Sequence, residues 1–341
     1  MIRAMTEAPS RSMFSGASPV SDDAVGRARN HNLGQLLRRS AARHPDKLAV
    51  LCGEARYSFR EFDRLCSAVA GGFRALGVNE GDRVAVLARN SHAYAAIRFA
   101  LARMGAVLVP INFMLNPAEI AYILKHSGAR VLCLDSICEA NGREAARLDT
   151  AVERIVGIPG ELTASPQADA TFEDLASAAP IADMLVDCRA VAQIIYTSGT
   201  ESAPKGAMLT HEAVIWEYVT CIIDGEMSAD DVVLHAMPLY HCAQLDVFLG
   251  PAVYIGSTSI ITSDPSPDNL LALMERHDVT SFFAPPTVWI GLMNSPRFAP
   301  EKLTALGKGY YGASIMPVGV LKSLQKALPK VRLFNLYGQT E

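Results

Sequence analysis

Apolar residues follow two spacings in turn along most of the chain after Asn32. An apolar stripe at helical spacing between residues 62 and 73 precedes a short β-branched run, Arg83–Leu87, which precedes a second helical stripe, Ala93–Met104. Strands that alternate with helices favour a mainly parallel sheet, because parallel neighbours need a long crossover that a helix usually provides. The pattern predicts an α/β fold with helices packed on the faces of its sheets.

Two interruptions in this alternation suggest how the chain is divided. Residues 1–30 are rich in Ser, Ala, Pro, Gly and Arg and have no apolar period, so we expect a flexible tail there. Residues 138–188 carry several prolines and are also irregular. Because the alternation resumes at Val191, we predict a first α/β subdomain over residues 31–190 and a second over residues 191–341.

Composition and charge exclude several classes of protein. With 31 basic and 35 acidic residues, the chain lacks the excess positive charge on which nucleic-acid affinity depends, so we expect no nucleic-acid partner. The seven cysteines are scattered without a CxxC pair and no secretory signal is apparent, so we expect a cytoplasmic protein. Arg98 and Arg103 interrupt the most apolar stretch, residues 95–115, so no membrane span is expected, although peripheral membrane association stays open.

The strongest chemical signal is a polar loop, YTSGTESAPKG at residues 196–206, between an apolar strand and a helical segment. Such a loop suits phosphate, because glycine permits close backbone approach, hydroxyls donate to anionic oxygens and lysine neutralises charge. Pro204 stands where a Walker loop has glycine, and Gly206 stands where it has Ser or Thr, so an ordinary kinase or P-loop NTPase is disfavoured. By composition alone a solvated turn stays an alternative.

Three further segments carry candidate chemistry. The chain ends on FNLYGQTE at residues 334–341, and Glu341 by itself is a solvated carboxylate at a chain end. The small residues of GYYGAS, residues 309–314, suit either a β-turn or a surface that a flat ring approaches. The segment MPLYH ends in His241, and a lone histidine is more often structural than catalytic.

These segments, in this order, resemble the motifs of the adenylate-forming superfamily, which includes acyl-CoA synthetases, luciferases and adenylation domains. Residues 196–206 match nine of the eleven positions of its signature YTSGTTGxPKG, with Glu201 and Ser202 as the departures, and the last residues resemble its YGxTE motif. The resemblance covers residues 32–341. It implies the large domain of such an enzyme, with two α/β subdomains whose mainly parallel sheets are flanked by helices.

The resemblance also implies a role for each candidate residue. The phosphate-binding residues would be Thr197, Ser198, Gly199, Thr200 and Lys205. The nucleotide-binding residues after them would be Gly312, Ala313, Ser314, Asn335, Tyr337, Gly338 and Thr340. Tyr337 would stack on the adenine ring, and Thr340 would donate to the α-phosphate.

Catalysis, metal binding and acid binding follow from the same resemblance. The catalytic residues would be Lys205, Thr340 and Glu341. Glu341 and Thr200 would hold magnesium, which prefers oxygen ligands. The acid would contact His241, Cys242, Tyr311 and Gly312.

The implied activity is ATP-dependent activation of a carboxylic acid through an acyl-adenylate to its CoA thioester, with ATP, magnesium and coenzyme A required. Apolar residues within 242–248 and 284–287 predict a pocket for an alkyl chain, so a medium- or long-chain fatty acid is the preferred substrate class. An aryl acid stays open. An amino acid is disfavoured, because no acidic residue is obvious in the sequence where its amine would bind.

Members of this superfamily continue past the glutamate of YGxTE into a small domain with a catalytic lysine. Since the sequence stops at Glu341, we expect the small domain to be absent from this chain and CoA transfer to be impaired. The alternative is a non-catalytic fragment that at most binds a nucleotide or an acyl chain.

Overall fold

The computed structural model describes residues 31–182, 184–197 and 204–340. Within these ranges the chain forms two seven-stranded sheets with helices packed against them. Neighbouring strands are parallel except at one edge of each sheet, where a hairpin adds an antiparallel pair. The predicted α/β fold with mainly parallel sheets is therefore confirmed. The tail expected over residues 1–30 lies outside the described residues.

The first sheet comes from the middle of the chain. Its strands are β3 (Arg83–Leu87), β4 (Val107–Pro110), β5 (Val131–Leu134), β6 (Arg154–Gly157), β7 (Ala170–Thr171), β8 (Val191–Thr197) and β9 (Lys205–Thr210). They are arranged in the order β7-β6-β5-β3-β4-β8-β9. The strands β3, β4 and β5 are almost completely buried, as expected of continuous apolar runs with helices on both faces.

The second sheet combines an early hairpin with strands from the last third of the chain. Its strands are β1 (Leu48–Cys52), β2 (Ala55–Ser58), β10 (Val232–His235), β11 (Thr258–Ile261), β12 (Ser281–Ala284), β13 (Lys308–Gly312) and β14 (Arg332–Leu336). They are arranged in the order β14-β13-β12-β10-β11-β1-β2. The strand pair β13–β14 therefore forms one edge of this sheet.

Helices connect most of the strands. The α-helices of the described ranges are α1 (Leu33–Arg43), α2 (Phe59–Ala75), α3 (His92–Met104), α4 (Pro117–Ser127), α5 (Glu139–Ala146), α6 (Phe172–Ala176), α7 (His211–Asp224), α8 (Cys242–Gln244), α9 (Gly250–Ile255), α10 (Pro267–Arg276), α11 (Pro286–Asn294) and α12 (Val318–Ala327). A π-helical segment, Leu245–Leu249, joins α8 to α9, and a 3₁₀ turn covers Pro300–Lys302.

Local sequence fixes the ends of these helices. The side chains of Asn116 and Glu119 each accept a hydrogen bond from the other residue's backbone N–H, a capping box that begins α4. Gly105 ends α3 in the left-handed region, with φ of 72°, which glycine adopts without strain. The predicted helix stop at Gly105 is confirmed.

An apolar cluster connects the two sheets. It includes Val84 of β3, Val50 of β1 and Ile261 of β11, together with side chains of α2 and α3. Phe62 and Phe99 from these two helices meet edge to face, with ring centroids 6.2 Å apart. Because both sheets bury residues in this cluster, their relative position is fixed by shared packing.

Strand pairing does not follow the predicted division at residue 190. The sequence assigns β8 and β9 to the second subdomain, yet β8 pairs with β4 of the first sheet, where Leu108 lies opposite Gln193. The hairpin β1–β2, assigned to the first subdomain, pairs with β11 of the second sheet. Periodicity identifies a strand but not its partner, because partners are chosen by contacts between distant parts of the chain.

Candidate active site

The predicted phosphate loop begins and ends in the β8–β9 hairpin. Thr197, the last residue of β8, lies opposite Lys205, the first residue of β9, and the Lys205 side chain is exposed. Ser198, Gly199 and Thr200 lie outside the described residues. The sequence predicts a helix soon after the loop, but β9 comes first. Both ends of the loop are therefore held by backbone pairing.

Aromatic side chains of α4 support the base of this hairpin. The Tyr122 hydroxyl donates to the Pro204 carbonyl at 3.1 Å, and the Tyr196 hydroxyl shares a 2.8 Å hydrogen bond with His126 Nδ1. The rings of Tyr122 and His126 are stacked with centroids 5.5 Å apart. Burial raises the pKa of Tyr196, so its phenol keeps its proton near neutral pH.

Gly312 and Leu336 bring the edge strands β13 and β14 close together. They lie opposite each other, and a Cβ at Gly312 would stand 2.5 Å from the Leu336 carbonyl oxygen, so only glycine fits. Ala313 follows in the left-handed region, with φ of 63°, and Ser314 is exposed. The small-residue segment predicted over 309–314 is thus mostly strand, and the chain turns only after Gly312.

Asn335 and Tyr337 lie at the exposed end of β14. Asn335 is opposite Tyr311 of β13, and Tyr337 is 89% exposed, so its ring is free to stack on another ring. The Gln339 side-chain amide donates to the Tyr337 hydroxyl at 3.4 Å, and Gly338 is exposed. The residues predicted to bind adenine therefore come together at one end of the β13–β14 pair.

A cavity of about 510 Å³ lies between α7 and the β13–β14 pair. It is lined by Thr220, Cys221, Asp224, Gly225, Met227, Val247, Tyr310, Leu333, Phe334, Asn335, Leu336 and Tyr337. The rings of Tyr310 and Phe334 are stacked with centroids 5.0 Å apart. The cavity thus joins an aromatic interior to two residues predicted to bind adenine.

The sequence does not predict the contribution of α7 to this cavity. Asp224 comes four residues after Thr220 and three residues after Cys221, so it shares a face of the helix with both. Their helical spacing is the only feature of the sequence that indicates a shared role. It does not stand out, because α7 has apolar residues on several sides. Of the residues predicted to form an apolar pocket, Val247 lines the cavity, whereas Phe248 is buried in the core.

Of the predicted acid-binding residues His241 and Cys242, the second contacts Thr340 at the end of the described residues. Cys242 Sγ lies 3.6 Å from Thr340 Oγ1. His241 Nδ1 accepts from Ala243 N at 3.1 Å, and desolvation lowers the pKa of His241, so the ring is neutral near pH 7 with its proton on Nε2. Burial raises the pKa of Cys242, so its sulfur is a thiol.

A buried ion pair is attached to the π-helical segment beside the cavity. Asp246 accepts hydrogen bonds from Arg98 at 3.3 Å, from Gln193 at 2.6 Å and from Tyr218 at 3.2 Å. Burial raises the pKa of Asp246, and the charge of Arg98 opposes that shift. Burial and the charge of Asp246 together raise the pKa of nearby Glu217 to about 7. The cluster joins α3, β8 and α7 behind the cavity.

The residues predicted to hold magnesium, Thr200 and Glu341, lie outside the described residues. In the part of the chain that the structure describes, no group of three or more His, Cys, Asp and Glu side chains could hold a metal ion. Magnesium therefore stays a prediction. No helix in the same ranges combines the length and the apolar character needed to cross a membrane.

The fold and the site define a class of protein. Two α/β sheets share one apolar core, a fold that matches the large domain of acid–CoA ligases, and Asn335 and Tyr337 line a cavity at the edge of the second sheet. The family model described as "AMP-binding enzyme" matches residues 37–341, and the chain belongs to this family. The resemblance stated from the motifs is confirmed.

Several relatives are acid–CoA ligases. A feruloyl-CoA synthase from Amycolatopsis sp is 34% identical over 315 residues, which cover 92% of this chain and 60% of that protein. A long-chain-fatty-acid–CoA ligase from Thermus thermophilus is 31% identical over 91% of this chain and 57% of its own length. The crystal structure of a benzoate CoA ligase from Burkholderia xenovorans has a TM-score of 0.82 at 23% identity, covering 91% of this chain and 61% of its own. The chain spans about 60% of the first relative's length.

Proposed function

We propose that this chain carries the adenylating site of an acid–CoA ligase, which converts a carboxylic acid and ATP to an acyl-adenylate and pyrophosphate. One observation carries the proposal. The 3.6 Å contact between Cys242 Sγ and Thr340 Oγ1 brings the segment expected to hold the acid against the motif expected to hold the α-phosphate. Membership of the AMP-binding enzyme family supports it.

The side chains have distinct tasks in this reaction, in which a carboxylate oxygen attacks the α-phosphorus and pyrophosphate leaves. The Thr340 hydroxyl would donate to an α-phosphate oxygen, and Lys205 would neutralise charge on the phosphates. Neutral His241 would donate its Nε2 proton in a hydrogen bond to the acid. Magnesium is part of the proposal through Thr200 and Glu341, which carry the oxygen atoms that it prefers.

For the acid, we propose an aromatic carboxylic acid. Stacked rings of Tyr310 and Phe334 line the cavity, and Thr220 and Asp224 add polar atoms that suit a hydroxylated ring better than a long alkyl chain. The similarity to a feruloyl-CoA synthase supports this class.

A fatty acid, the class that the sequence favours, is the second candidate. Met227, Val247 and Leu333 give part of the cavity an aliphatic lining. The similarity to a long-chain-fatty-acid–CoA ligase supports this candidate. The proposed product in either case is the CoA thioester of the acid. We also propose a cytoplasmic location, which the scattered cysteines without a CxxC pair support.

Acid-dependent exchange of labelled pyrophosphate into ATP tests the proposal. The chain is incubated with ATP, magnesium and each of ferulate, benzoate, decanoate and palmitate, and CoA thioester formation is followed separately by mass spectrometry. Faster exchange with ferulate or benzoate supports the aromatic acid, and the reverse order supports the fatty acid. ATP binding without exchange from any acid would overturn the catalytic proposal in favour of a fragment that only binds nucleotide.

A further inference from the structure

Residues 236–241 connect β10 to α8 and carry His241 at their end. They belong to no strand or helix, so the backbone polar groups that are not paired within the segment need hydrogen-bond partners from elsewhere. Met237 and Leu239 are nevertheless buried. What holds this segment therefore decides where His241 and Cys242 lie.

Asn90 supplies three of the hydrogen bonds at this place. It follows β3 of the first sheet and is 3% exposed. Its side-chain nitrogen donates to the Met237 carbonyl at 2.9 Å and to the Thr262 carbonyl at 3.0 Å. Its Oδ1 accepts from Leu239 N at 2.8 Å. The side-chain amide of Asn90 thus bonds, through both its nitrogen and its oxygen, to backbone groups in the segments that follow β10 and β11 of the second sheet.

A second buried amide holds the same segment from the other side. Gln244 Oε1 accepts from Met237 N at 3.1 Å, and Gln244 Nε2 lies 2.8 Å from His235 Nδ1. Gln244 and His235 are both fully buried. Met237 is therefore bound through its N–H by one amide and through its carbonyl by another.

We propose that Asn90 is a positioning residue for acid activation. By binding Met237 and Leu239, it fixes the path of the segment that ends at His241, and so the position of Cys242 opposite Thr340. The inference rests on the proposed function, since it assigns Asn90 to the acid side of that site. It is distinct from the nucleotide side, because Lys205, Asn335 and Tyr337 lie on other elements.

The location of Asn90 argues for this role. It lies just past the carboxyl end of β3, and Met237 and Thr262 lie just past the carboxyl ends of β10 and β11. Ligands of open α/β sheets bind at the carboxyl ends of strands. The Asn90 side chain thus connects the edges of the two sheets at which ligands are expected to bind. Its loss should therefore displace residues of the site more than residues of the core.

Asn90→Asp is the sharpest substitution, since its shape is nearly the same. A carboxylate keeps the acceptor for Leu239 N, but it places negative charge against the Met237 and Thr262 carbonyl oxygens and removes both donors. We expect the KM for ferulate in pyrophosphate exchange to rise about tenfold, with the KM for ATP changed by less than about twofold. Asn90→Ser, which keeps a hydroxyl donor, should show a smaller rise of the same kind.

Asn32→Asp is the matched control. Asn32 is a buried asparagine that caps α1 and donates to the Val186 carbonyl, away from the segment. All variants are compared for Tm, for both KM values and for the rate at which Cys242 is alkylated by N-ethylmaleimide, measured by mass spectrometry. In the Asn90 variants the alkylation of Cys242 should accelerate, because the segment that carries it is released.

The outcomes separate this inference from the proposed function. A rise in the KM for the acid and faster alkylation of Cys242 in the Asn90 variants, absent from N32D, support it. Equal changes in both KM values, or a loss of Tm alone that N32D matches, overturn it. If the unchanged chain gives no exchange with any acid, the proposed function fails, and the alkylation rates alone decide whether Asn90 positions Cys242. If N90D does not fold, N90S provides the same comparison.

Discussion

The Thr340 hydroxyl lies 3.6 Å from the Cys242 sulfur, although 98 positions separate the two residues in the chain. Thr340 follows the edge strand β14, whereas Cys242 begins α8. Their contact depends on the packing of α8 and the π-helical segment beside the β13–β14 pair. Side chains that approach in this way from distant elements are what a reaction between two bound substrates requires.

Thr340→Val should remove activity without unfolding the chain. Valine keeps the shape of threonine but lacks the hydroxyl, and loss of one donor to transition-state charge typically costs about a hundredfold in rate. The Tm should change little, because Thr340 is only partly buried. Pyrophosphate exchange and thermal melts measure both. Thr340→Ser should retain most of the exchange, and equal losses in the two variants would contradict the role of the hydroxyl.

Lys205→Met should weaken ATP binding. The exposed ammonium begins β9 beside the predicted phosphate loop, and its loss should raise the Kd for ATP about tenfold, as expected for one charge-assisted hydrogen bond. Isothermal titration at low and high salt measures this, and the difference should shrink as salt rises. Lys322→Met, at another exposed lysine, is the control. The same loss in both variants would show a general charge effect instead.

Glu217→Gln should flatten the dependence of stability on pH. Burial and the charge of Asp246 raise the pKa of Glu217 to about 7, and Arg98 opposes the shift. The same carboxyl titrates at about 4.3 in the unfolded chain. Between these values the folded state keeps a proton that the unfolded state has lost, so the free energy of unfolding falls as the pH rises.

Glutamine cannot lose a proton, so Glu217→Gln should lose less stability than the unchanged chain between pH 4.5 and 7.5, by about 1–3 kcal/mol. Urea denaturation at both pH values measures this difference. Glu212→Gln, at an exposed position of α7, should behave like the unchanged chain. The same change in the free energy of unfolding between the two pH values in all three proteins would mean that the Glu217 carboxyl is solvated in solution.

Gly312→Ala should separate the edge strands of the second sheet. The added Cβ would stand 2.5 Å from the Leu336 carbonyl oxygen, a backbone atom that can only move with β14. We expect a loss of about 1–3 kcal/mol in the free energy of unfolding and weaker ATP binding. Gly319→Ala is the control, because nothing lies within 4 Å of its added Cβ. A stable G312A with unchanged ATP binding would show that β14 shifts without consequence.

The individual strands and helices are largely readable from the sequence. The runs that become β3, β4 and β5 are short and almost wholly apolar, because strands buried on both faces need apolar side chains throughout. Gly105 is recognisable as a helix end, because glycine adopts the left-handed conformation at low cost. These signals are local, so they are visible in a short stretch of sequence.

The membership of each sheet, the α7 side of the cavity and the contacts of Asn90 are not readable in this way. The pairing of β8 with β4 depends on contacts between residues that are distant in the chain. Thr220 and Cys221 line the cavity only because α7 turns that face towards β13 and β14. Likewise, nothing near Asn90 in the sequence indicates its bonds to Met237 and Leu239, since these partners lie in a distant segment that follows β10 of the other sheet.

The early hairpin β1–β2 belongs to the sheet whose other strands come from the last third of the chain, so this sheet can be completed only late in synthesis. The strand β1 leaves the ribosome early, but its parallel partner β11 ends at Ile261, so β1 has no place in its sheet until that residue has emerged. Until then the apolar side chains of β1, among them Ala49 and Val50, must be shielded from water by other parts of the chain or by a chaperone. Cutting the gene at residue 190 would leave neither product with a complete sheet, so complementation by two separately expressed halves requires that they fold together.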